Sequence, residues 1–328
     1  MLHINFNNVY VSSTGTVAGR KEKEGPLGDL FDKTYSDNLH GLKSYETAEA
    51  QMMKEANSIA LNKLGMKLED IDILIAGDLN NQIACSSKVS GLINSSFLGV
   101  YGACSTSMLA TLTGSILVDK GIANNVLVSS TSSFATAERQ FRYPIEYGGP
   151  KKFTTTYTVT GSGAMLLKNT PSEIKITEGT FGQTFDTGWT NVNDMGSAMS
   201  YAAYNTIKSH LINFNHHANY YDAIVTGDLS SIGSKILYDM FKEDGIDLNN
   251  HLDCGNLIFD IEKQNVFAGG SGAACCPLVT YTKIFNELKN GKYKRVLVVA
   301  TGALHDPIYV FQKKSIPVIA HAVTFERS

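Results

Sequence analysis

Residues 100–108 read VYGACSTSM and place one cysteine, Cys104, among small residues directly before an apolar run. The spacing of this run is typical of a buried helix, and its members are Met108, Leu109, Leu112, Ile116 and Leu117. At a helix N-terminus, unpaired backbone N–H groups and the helix dipole favour a thiolate. Cys104 is therefore a candidate nucleophile or anion-binding residue. The alternative is a small buried apolar side chain, since free cysteine is among the most buried residue types.

The composition of the chain is that of an ordinary globular protein. Its 328 residues are enough for two domains or one large duplicated domain. Apolar residues make up 43% and charged residues 18%, which excludes a disordered chain. The net charge is only -3, and basic residues are not clustered. We therefore expect no nucleic-acid groove and no polybasic membrane anchor.

The five cysteines are odd in number and lack the spacing of a zinc site. Free thiols in a reducing compartment are the simplest interpretation, and we expect no metal site and no cofactor. The N-terminal residues show no signal peptide. No apolar run approaches the roughly 18 residues of a transmembrane helix. We expect a soluble chain that reaches a membrane only through partners.

The pattern of apolar residues predicts several elements before any repeat is considered. Residues 3–11 alternate weakly and predict a strand, and the polar segment from Gly19 to Gly41 predicts a surface loop or lid. A helix is predicted from Ser44, its N-cap, to Leu64. Residues 71–78 and 125–131 are typical of buried parallel strands.

The second half of the chain repeats the first. Residues 73–79 (ILIAGDL) match residues 223–229 (AIVTGDL), and residues 126–131 (VLVSST) match residues 296–301 (VLVVAT). Between each pair lies a small-residue turn that leads into a predicted helix, the Cys104 turn in one half and AGGSGAACC in the other. Two landmarks in the same order indicate an internal duplication. We predict two α/β halves, residues 1–170 and 171–328.

The duplication also predicts where a site would form. In open α/β sheets, sites form at the carboxyl ends of the strands. Two halves related by a pseudo-twofold axis would bring these ends together. The predicted pocket therefore contains the turns at Cys104, Asp228 and residues 269–272, together with the strand ends near His305 and His321.

These features resemble the thiolase fold, and within it the stage V sporulation protein AD family. The motifs that carry the resemblance span nearly the whole chain: ERQFRYP at 138–144, EYG at 146–148, TVTGSGA at 158–164, VTGDL at 225–229 and SIPVIAHAV at 315–323. The resemblance implies duplicated βαβαβαββ halves arranged in five α-β-α-β-α layers.

The family resemblance also implies a function. It predicts a soluble subunit of the machinery that moves dipicolinic acid, with calcium, into the developing spore. The pocket would bind dipicolinic acid or its calcium chelate. Implied partners are the membrane-embedded subunits of the same system and a second copy of the chain. The implied location is the cytoplasmic face of the forespore or spore inner membrane.

The resemblance also favours binding over catalysis. Condensing enzymes of the thiolase superfamily add histidine or asparagine donors to the cysteine. At the corresponding turns this chain reads TGDL at 226–229 and GGSG at 269–272. A carboxylate at Asp228 would repel an enolate and disfavour a thiolate at Cys104. We therefore do not expect a condensing enzyme.

An enzymatic alternative stays open at this point. It is an acyltransferase or thioesterase that uses Cys104 with His305 or His321. The alternative roles of these histidines are structural. His321 would be a hydrogen-bonded core residue, and His305 would belong to a surface turn.

Dipicolinate is a planar dianion that needs donors or cations and a flat apolar wall. Arginine suits a carboxylate, although Arg139 or Arg142 could instead pair with Glu138 or Glu146. Asp228 and Asp78 could accept calcium or simply cap their turns. The candidate ligand-binding residues are Cys104, Ser105, Arg139, Arg142, Asp228, Gly270, His305 and His321.

Overall fold

The structure is a computed structural model that describes residues 1–141 and 151–328. The strands of this part are β1 Leu2–Ala18, β2 Lys33–Thr34, β3 Ile73–Asp78, β4 Ser96–Gly99, β5 Val126–Ser132, β6 Tyr157–Thr158, β7 Gly161–Lys168, β8 Ile174–Phe181, β9 Ala223–Thr226, β10 His251–Asp253, β11 Gly270–Ser271, β12 Arg295–Ala303 and β13 Val318–Arg327. The helices are α1 Arg20–Lys23, α2 Tyr45–Asn62, α3 Ala84–Ser90, α4 Thr106–Asp119, α5 Phe134–Phe141, α6 Met195–Phe214, α7 Ser230–Glu243, α8 Cys254–Leu257, α9 Cys275–Val279, α10 Phe285–Lys289 and α11 Pro307–Phe311.

The duplication predicted from the sequence appears in the order of the strands. One half of the eleven-stranded sheet runs β4-β3-β5-β7-β1, and the other runs β10-β9-β12-β13-β8. In each half the first three strands are parallel and the later neighbours antiparallel. Strand β1 joins the halves, because it pairs with β7 at one end and β8 at the other. The α/β fold with duplicated halves is confirmed.

The helices form layers outside and between the two halves of the sheet. Helix α2 packs on β1, β5 and β7, whereas α6 packs on β12 and β13. Helix α4 contacts strands of both halves, so it lies between them. Its Met108 and Leu112 are fully buried in the central core. This arrangement agrees with the five predicted layers. A helix that is buried on several sides, as α4 is, is expected to carry few charged residues.

Local sequence explains some elements better than others. The Ser44 hydroxyl caps α2 by accepting a hydrogen bond from the Thr47 backbone N–H at 3.2 Å, as predicted. Strand β1 continues well beyond residue 11, because pairing with β7 and β8 satisfies its backbone. The segment predicted as a loop, Gly19 to Gly41, contains the short elements α1 and β2.

Two general features concern the cysteines and the length of the apolar helices. All five cysteines lie in the described part, and none of them forms a disulfide. Among residues 1–141 and 151–328, no helix combines the length and apolar character that spanning a bilayer requires.

Close contact between the halves holds the Cys104 turn. Residues 103–105 form a single turn of 3-10 helix before α4. The end of β12 lies against this turn at Gly302. A Cβ atom at Gly302 would lie 2.2 Å from the Gly102 carbonyl oxygen and 3.1 Å from the Ser105 hydroxyl oxygen. Only glycine permits this approach between the two halves.

The substitution Gly302→Ala should therefore lower the free energy of unfolding by about 1–3 kcal/mol, as overpacking does in other cores. Gly91→Ala is the matched control, because the nearest atom to a Cβ there is 3.6 Å away. The control should stay within about 0.5 kcal/mol of wild type. Equilibrium denaturation by urea measures both, and equal stability of the two variants would contradict the contact.

Candidate functional site

The turns that follow the core strands of both halves meet around a small cavity at Cys104. The cavity has a volume of about 30 Å³. Its wall combines residues of both halves, among them Tyr101, Cys104, Thr158, Ser271, Gly272 and His305. A space of this size holds about one water molecule. The predicted meeting of the turns is therefore found, but the enclosed space is smaller than an aromatic diacid.

The Cys104 thiol donates a hydrogen bond to the carboxylate of Asp228. Asp228 is 1% exposed and receives two further hydrogen bonds. The Thr301 hydroxyl donates to Oδ1 at 2.6 Å, and the Gly272 backbone N–H donates to Oδ2 at 3.1 Å. The carboxylate thus ties the cysteine turn of the first half to β12 and the glycine-rich turn of the second.

Burial raises the pKa of the Asp228 carboxyl to about 7, although the hydrogen bonds from Thr301, Cys104 and Gly272 oppose this shift. Asp228 therefore changes charge near neutral pH. A carboxylate that accepts a hydrogen bond from a thiol holds the proton on sulfur. An acceptor in this position is placed as a general base would be, but its negative charge disfavours a thiolate beside it.

The two candidate histidines lie in different environments. His305 lines the cavity with Cys104, and its ring is tilted against Phe141 at a centroid distance of 4.5 Å. The backbone carbonyl of His305 accepts a hydrogen bond from the Tyr101 hydroxyl at 3.2 Å. His305 thus belongs to the site.

His321 lies in β13, opposite Ala300 of β12, and is 3% exposed. Its Nδ1 accepts a hydrogen bond from the Gly182 backbone N–H at 3.2 Å. Burial lowers the pKa of His321 to about 4. His321 does not line the Cys104 cavity. Its environment matches the alternative of a core histidine.

Of the two arginine candidates, Arg139 lies in the described structure and does not line the cavity. Arg139 forms an ion pair with Glu46 at 2.8 Å and lies over the Tyr45 ring. Glu138, a possible partner of the arginines in the sequence, forms an ion pair with Lys151. Arg142 lies outside the described residues.

Ser105, Gly270 and Asp78 support the turns. The Ser105 hydroxyl donates to the Gly102 carbonyl at 2.6 Å, and the Gly270 carbonyl accepts from the Ser230 hydroxyl at 2.7 Å. Asp78 accepts hydrogen bonds from Asn80 and Ser86, so it caps the turn after β3. None of the three lines the cavity, where Ser271 and Gly272 take the place predicted for Gly270.

A larger cleft opens on the outer side of this cavity. Its volume is about 760 Å³. Leu79, Tyr101, Phe141 and His305 line both spaces and so form the wall between them. The rest of the cleft is rich in side-chain amides, which belong to Asn80, Asn81, Gln82, Gln140 and Gln312. No lysine or arginine from residues 1–141 or 151–328 lines either space.

Sequence reasoning missed several of these lining residues. Tyr101 stands three positions before Cys104, so its place in the wall could have been found from the predicted turn. Met195 and Met199 reach the cavity from α6, far along the chain. No local pattern distinguishes them from ordinary core methionines.

A third cleft, of about 820 Å³, shares no lining residue with the other two. It contains the sequence pair His216 and His217. His216 shares a hydrogen bond with Glu178 at 2.8 Å and stacks on Tyr220 at 3.7 Å. The cleft therefore has polar groups of its own but no link to Cys104.

The raised pKa of Asp228 has a measurable consequence for stability. An unfolded aspartate titrates near pH 3.9, so between about pH 4 and 7 the folded state binds the extra proton. The free energy of unfolding should then fall as pH rises through this window. Asp228→Asn removes the titration. The stability of wild type minus that of the variant should fall by about 2–4 kcal/mol between pH 4 and 8.

Denaturation curves of wild type and Asp228→Asn at several pH values give this difference. Other carboxyl groups contribute equally to both proteins and cancel. A difference that is constant across the window would show that Asp228 keeps its ordinary pKa.

Comparison with solved structures shows the fold. The chain is similar to 3-oxoacyl-[acyl-carrier-protein] synthase III from Aquifex aeolicus VF5, with a TM-score of 0.60 and 13% identity over 97% of this chain and 99% of that one. It is also similar to a variant of OleA from Xanthomonas campestris, with a TM-score of 0.64 and 14% identity over 99% of this chain and 100% of that one. The thiolase-like fold is confirmed.

Comparison of sequences shows the family. The model of the family described as stage V sporulation protein AD (SpoVAD) matches residues 3–326. Stage V sporulation protein AD from Bacillus subtilis (strain 168) is 52% identical over 321 residues, which cover 98% of this chain and 95% of that protein. The chain belongs to the stage V sporulation protein AD family.

Proposed function

We propose that this protein is a binding subunit for dipicolinic acid in the machinery that loads this compound into the spore. The thiolase-like scaffold would serve recognition, with no carbon–carbon bond formation. Membership of a sporulation protein family supports the cellular role. The geometry at Cys104 supports binding over condensation.

The single observation that carries the proposal is the hydrogen bond from the Cys104 thiol to Asp228. Acyl transfer requires a thiolate and donors that stabilise a developing oxyanion. Asp228 is an acceptor at this position, and in its ionised form its charge opposes both requirements. A site arranged in this way can hold a ligand without activating the sulfur.

The size of the two spaces favours the outer cleft as the ligand site. The inner cavity of about 30 Å³ is too small for a planar aromatic diacid, whereas the outer cleft of about 760 Å³ is within the usual range for small-molecule sites. Phe141 and Tyr101 supply flat apolar surfaces, and His305 and the amides supply hydrogen-bond donors. The described lining thus offers neutral donors, together with one carboxylate, Asp306, which caps α11.

The contacts of Asp228 bear on the form of the ligand. Both of its oxygens already accept hydrogen bonds, from Thr301 and Gly272, and Asp78 is occupied in the same way. Calcium takes about six to eight oxygen ligands, and neither Asp228 nor Asp78 lines the inner cavity or the outer cleft. These contacts favour the free diacid over its calcium chelate as the bound form.

We further propose that the chain works at the spore membrane through membrane-embedded partners. Helix α11 lies beside the outer cleft, and its Ile308, Tyr309 and Phe311 are 67%, 57% and 73% exposed. Contiguous exposed apolar side chains are typical of interaction surfaces. A partner at α11 would lie next to the ligand entrance.

The proposal predicts that dipicolinic acid binds wild type and that His305→Ala weakens binding about tenfold or more, as expected for a lost hydrogen bond to a charged group. Arg139→Ala is the matched control, because Arg139 pairs with Glu46 and does not line the cleft. Its affinity should equal that of wild type. Titration calorimetry with the free diacid, and with benzoic acid as a poor ligand, makes the comparison. Absence of binding to wild type, or weakening by Arg139→Ala alone, would contradict the assignment.

A second candidate function is favoured by the shared cavity of Cys104 and His305. The pair could support acyltransferase or thioesterase chemistry. In that case acyl-CoA turnover should be measurable with wild type and lost in Cys104→Ala. Our proposal predicts no turnover above background for either protein, with dipicolinic acid binding retained in Cys104→Ala.

A further inference from the structure

A second cluster of reactive side chains lies at the carboxyl end of β3, outside the Cys104 cavity. It consists of Glu49 from α2, Asp78 at the end of β3 and Cys85 from α3. One carboxylate oxygen of each acid and the Cys85 sulfur all lie within 4.8 Å of one another. The three residues are 1%, 0% and 2% exposed. They form a buried set of two oxygen donors and one sulfur donor.

The Asn80 side-chain amide faces all three residues of the cluster. Glu49 also accepts a hydrogen bond from Thr136, and Asp78 accepts from Ser86 and from the Asn80 backbone. The side-chain Nδ2 of Asn80 lies 3.1 Å from Glu49 Oε2, 3.1 Å from Asp78 Oδ1 and 3.3 Å from Cys85 Sγ. An amide has only two hydrogens for these three acceptors. The second oxygen of Glu49, Oε1, is buried and has no hydrogen-bond partner among residues 1–141 and 151–328. An orphan oxygen of this kind is costly unless something else binds it.

The charges of the cluster also favour a bound cation. Burial and the charge of Asp78 raise the pKa of Glu49 to about 8. Burial also raises the pKa of the Cys85 thiol, and the charges of Glu49 and Asp78 raise it further. No lysine or arginine of the described chain forms an ion pair with Glu49 or Asp78. Positive charge is what the cluster lacks.

We propose that Glu49, Asp78 and Cys85 bind a divalent transition-metal ion of the zinc type. One thiolate with carboxylate oxygens suits Zn²⁺ or Co²⁺, whereas Ca²⁺ and Mg²⁺ take oxygen ligands alone. A half-turn of the Asn80 amide would replace its NH2 group by the carbonyl oxygen and supply a fourth donor. The site would then have four protein ligands, as closed structural zinc sites do.

The charges balance when such an ion binds. Glu49 and Cys85 each release a proton to solvent, and two positive charges enter with the metal. The net charge of the buried cluster is therefore the same before and after binding. No large cost of burying extra charge opposes the ion.

The position of Asn80 gives the ion a route. Asn80 is 8% exposed and lines the outer cleft, so it separates the buried cluster from the solvent in that cleft. The proposed site is thus adjacent to the proposed ligand cleft and shares Asn80 with it, whereas Glu49, Asp78 and Cys85 do not line the cleft. Metal binding at this site and dipicolinic acid binding in the cleft are therefore tested separately.

Titration of the full-length chain with Co²⁺ tests the proposal, because a cobalt–thiolate bond produces a near-ultraviolet charge-transfer band. We expect one equivalent of Co²⁺ to produce this band in wild type and in Cys104→Ser. Cys85→Ser should lose the band and bind Co²⁺ roughly 100-fold or more weakly, since even outer contacts of metal ligands affect affinity by 10–100-fold. A band that is absent from wild type, or that disappears with Cys104 and not with Cys85, would overturn the proposal.

A second pair of variants keeps the test decisive if Cys85→Ser does not fold. Glu49→Gln should weaken Co²⁺ binding about tenfold or more. Glu46→Gln is the matched control on the same helix turn, since the Glu46 side chain is 42% exposed and pairs with Arg139. Calorimetric titration with Co²⁺ gives both affinities. Equal affinity of the two variants would overturn the proposal.

Discussion

The hydrogen bond between the Cys104 thiol and the Asp228 carboxylate is the interaction on which the site depends. It joins a turn of the first half to a turn of the second. Thr301 and Gly272 donate further hydrogen bonds to the same carboxylate. A buried carboxylate is tolerated only when donors surround it. The duplicated fold supplies these donors, because equivalent strand ends of the two halves meet there. The same carboxylate bears on the chemistry, since its negative charge beside the sulfur disfavours a thiolate.

The spaces around this bond explain how a thiolase-like scaffold can serve recognition. The sulfur faces a cavity of about 30 Å³, and a wall that includes Phe141 and His305 separates it from a cleft of about 760 Å³. A small ligand can therefore occupy the cleft without reaching the sulfur. The amides of the cleft offer directed hydrogen bonds without a net charge, and such groups fix the orientation of a ligand. The site combines a protected thiol with an open, polar entrance.

The sequence predicted what depends on local pattern and repetition. The Ser44 cap, the helix that follows it and the paired landmarks of the two halves are read directly from spacing, and the landmarks place Asp228 opposite Cys104. Long-range partners could not be predicted. Arg139 pairs with Glu46, 93 positions earlier, and does not line the cleft. Likewise, Glu49, Asp78 and Cys85 come from three elements with no metal-binding spacing, and only the packing of α2 and α3 beside β3 brings them together.

A crystal structure of the chain with dipicolinic acid tests the central claim most directly. We expect the intact diacid in the outer cleft, in contact with His305 and Tyr101, with the Cys104 sulfur unmodified and still within hydrogen-bond distance of Asp228. An acyl group on the sulfur, an imidazole in place of the Asp228 carboxylate at the thiol, or a ligand held only in a cleft remote from Cys104 would contradict the account.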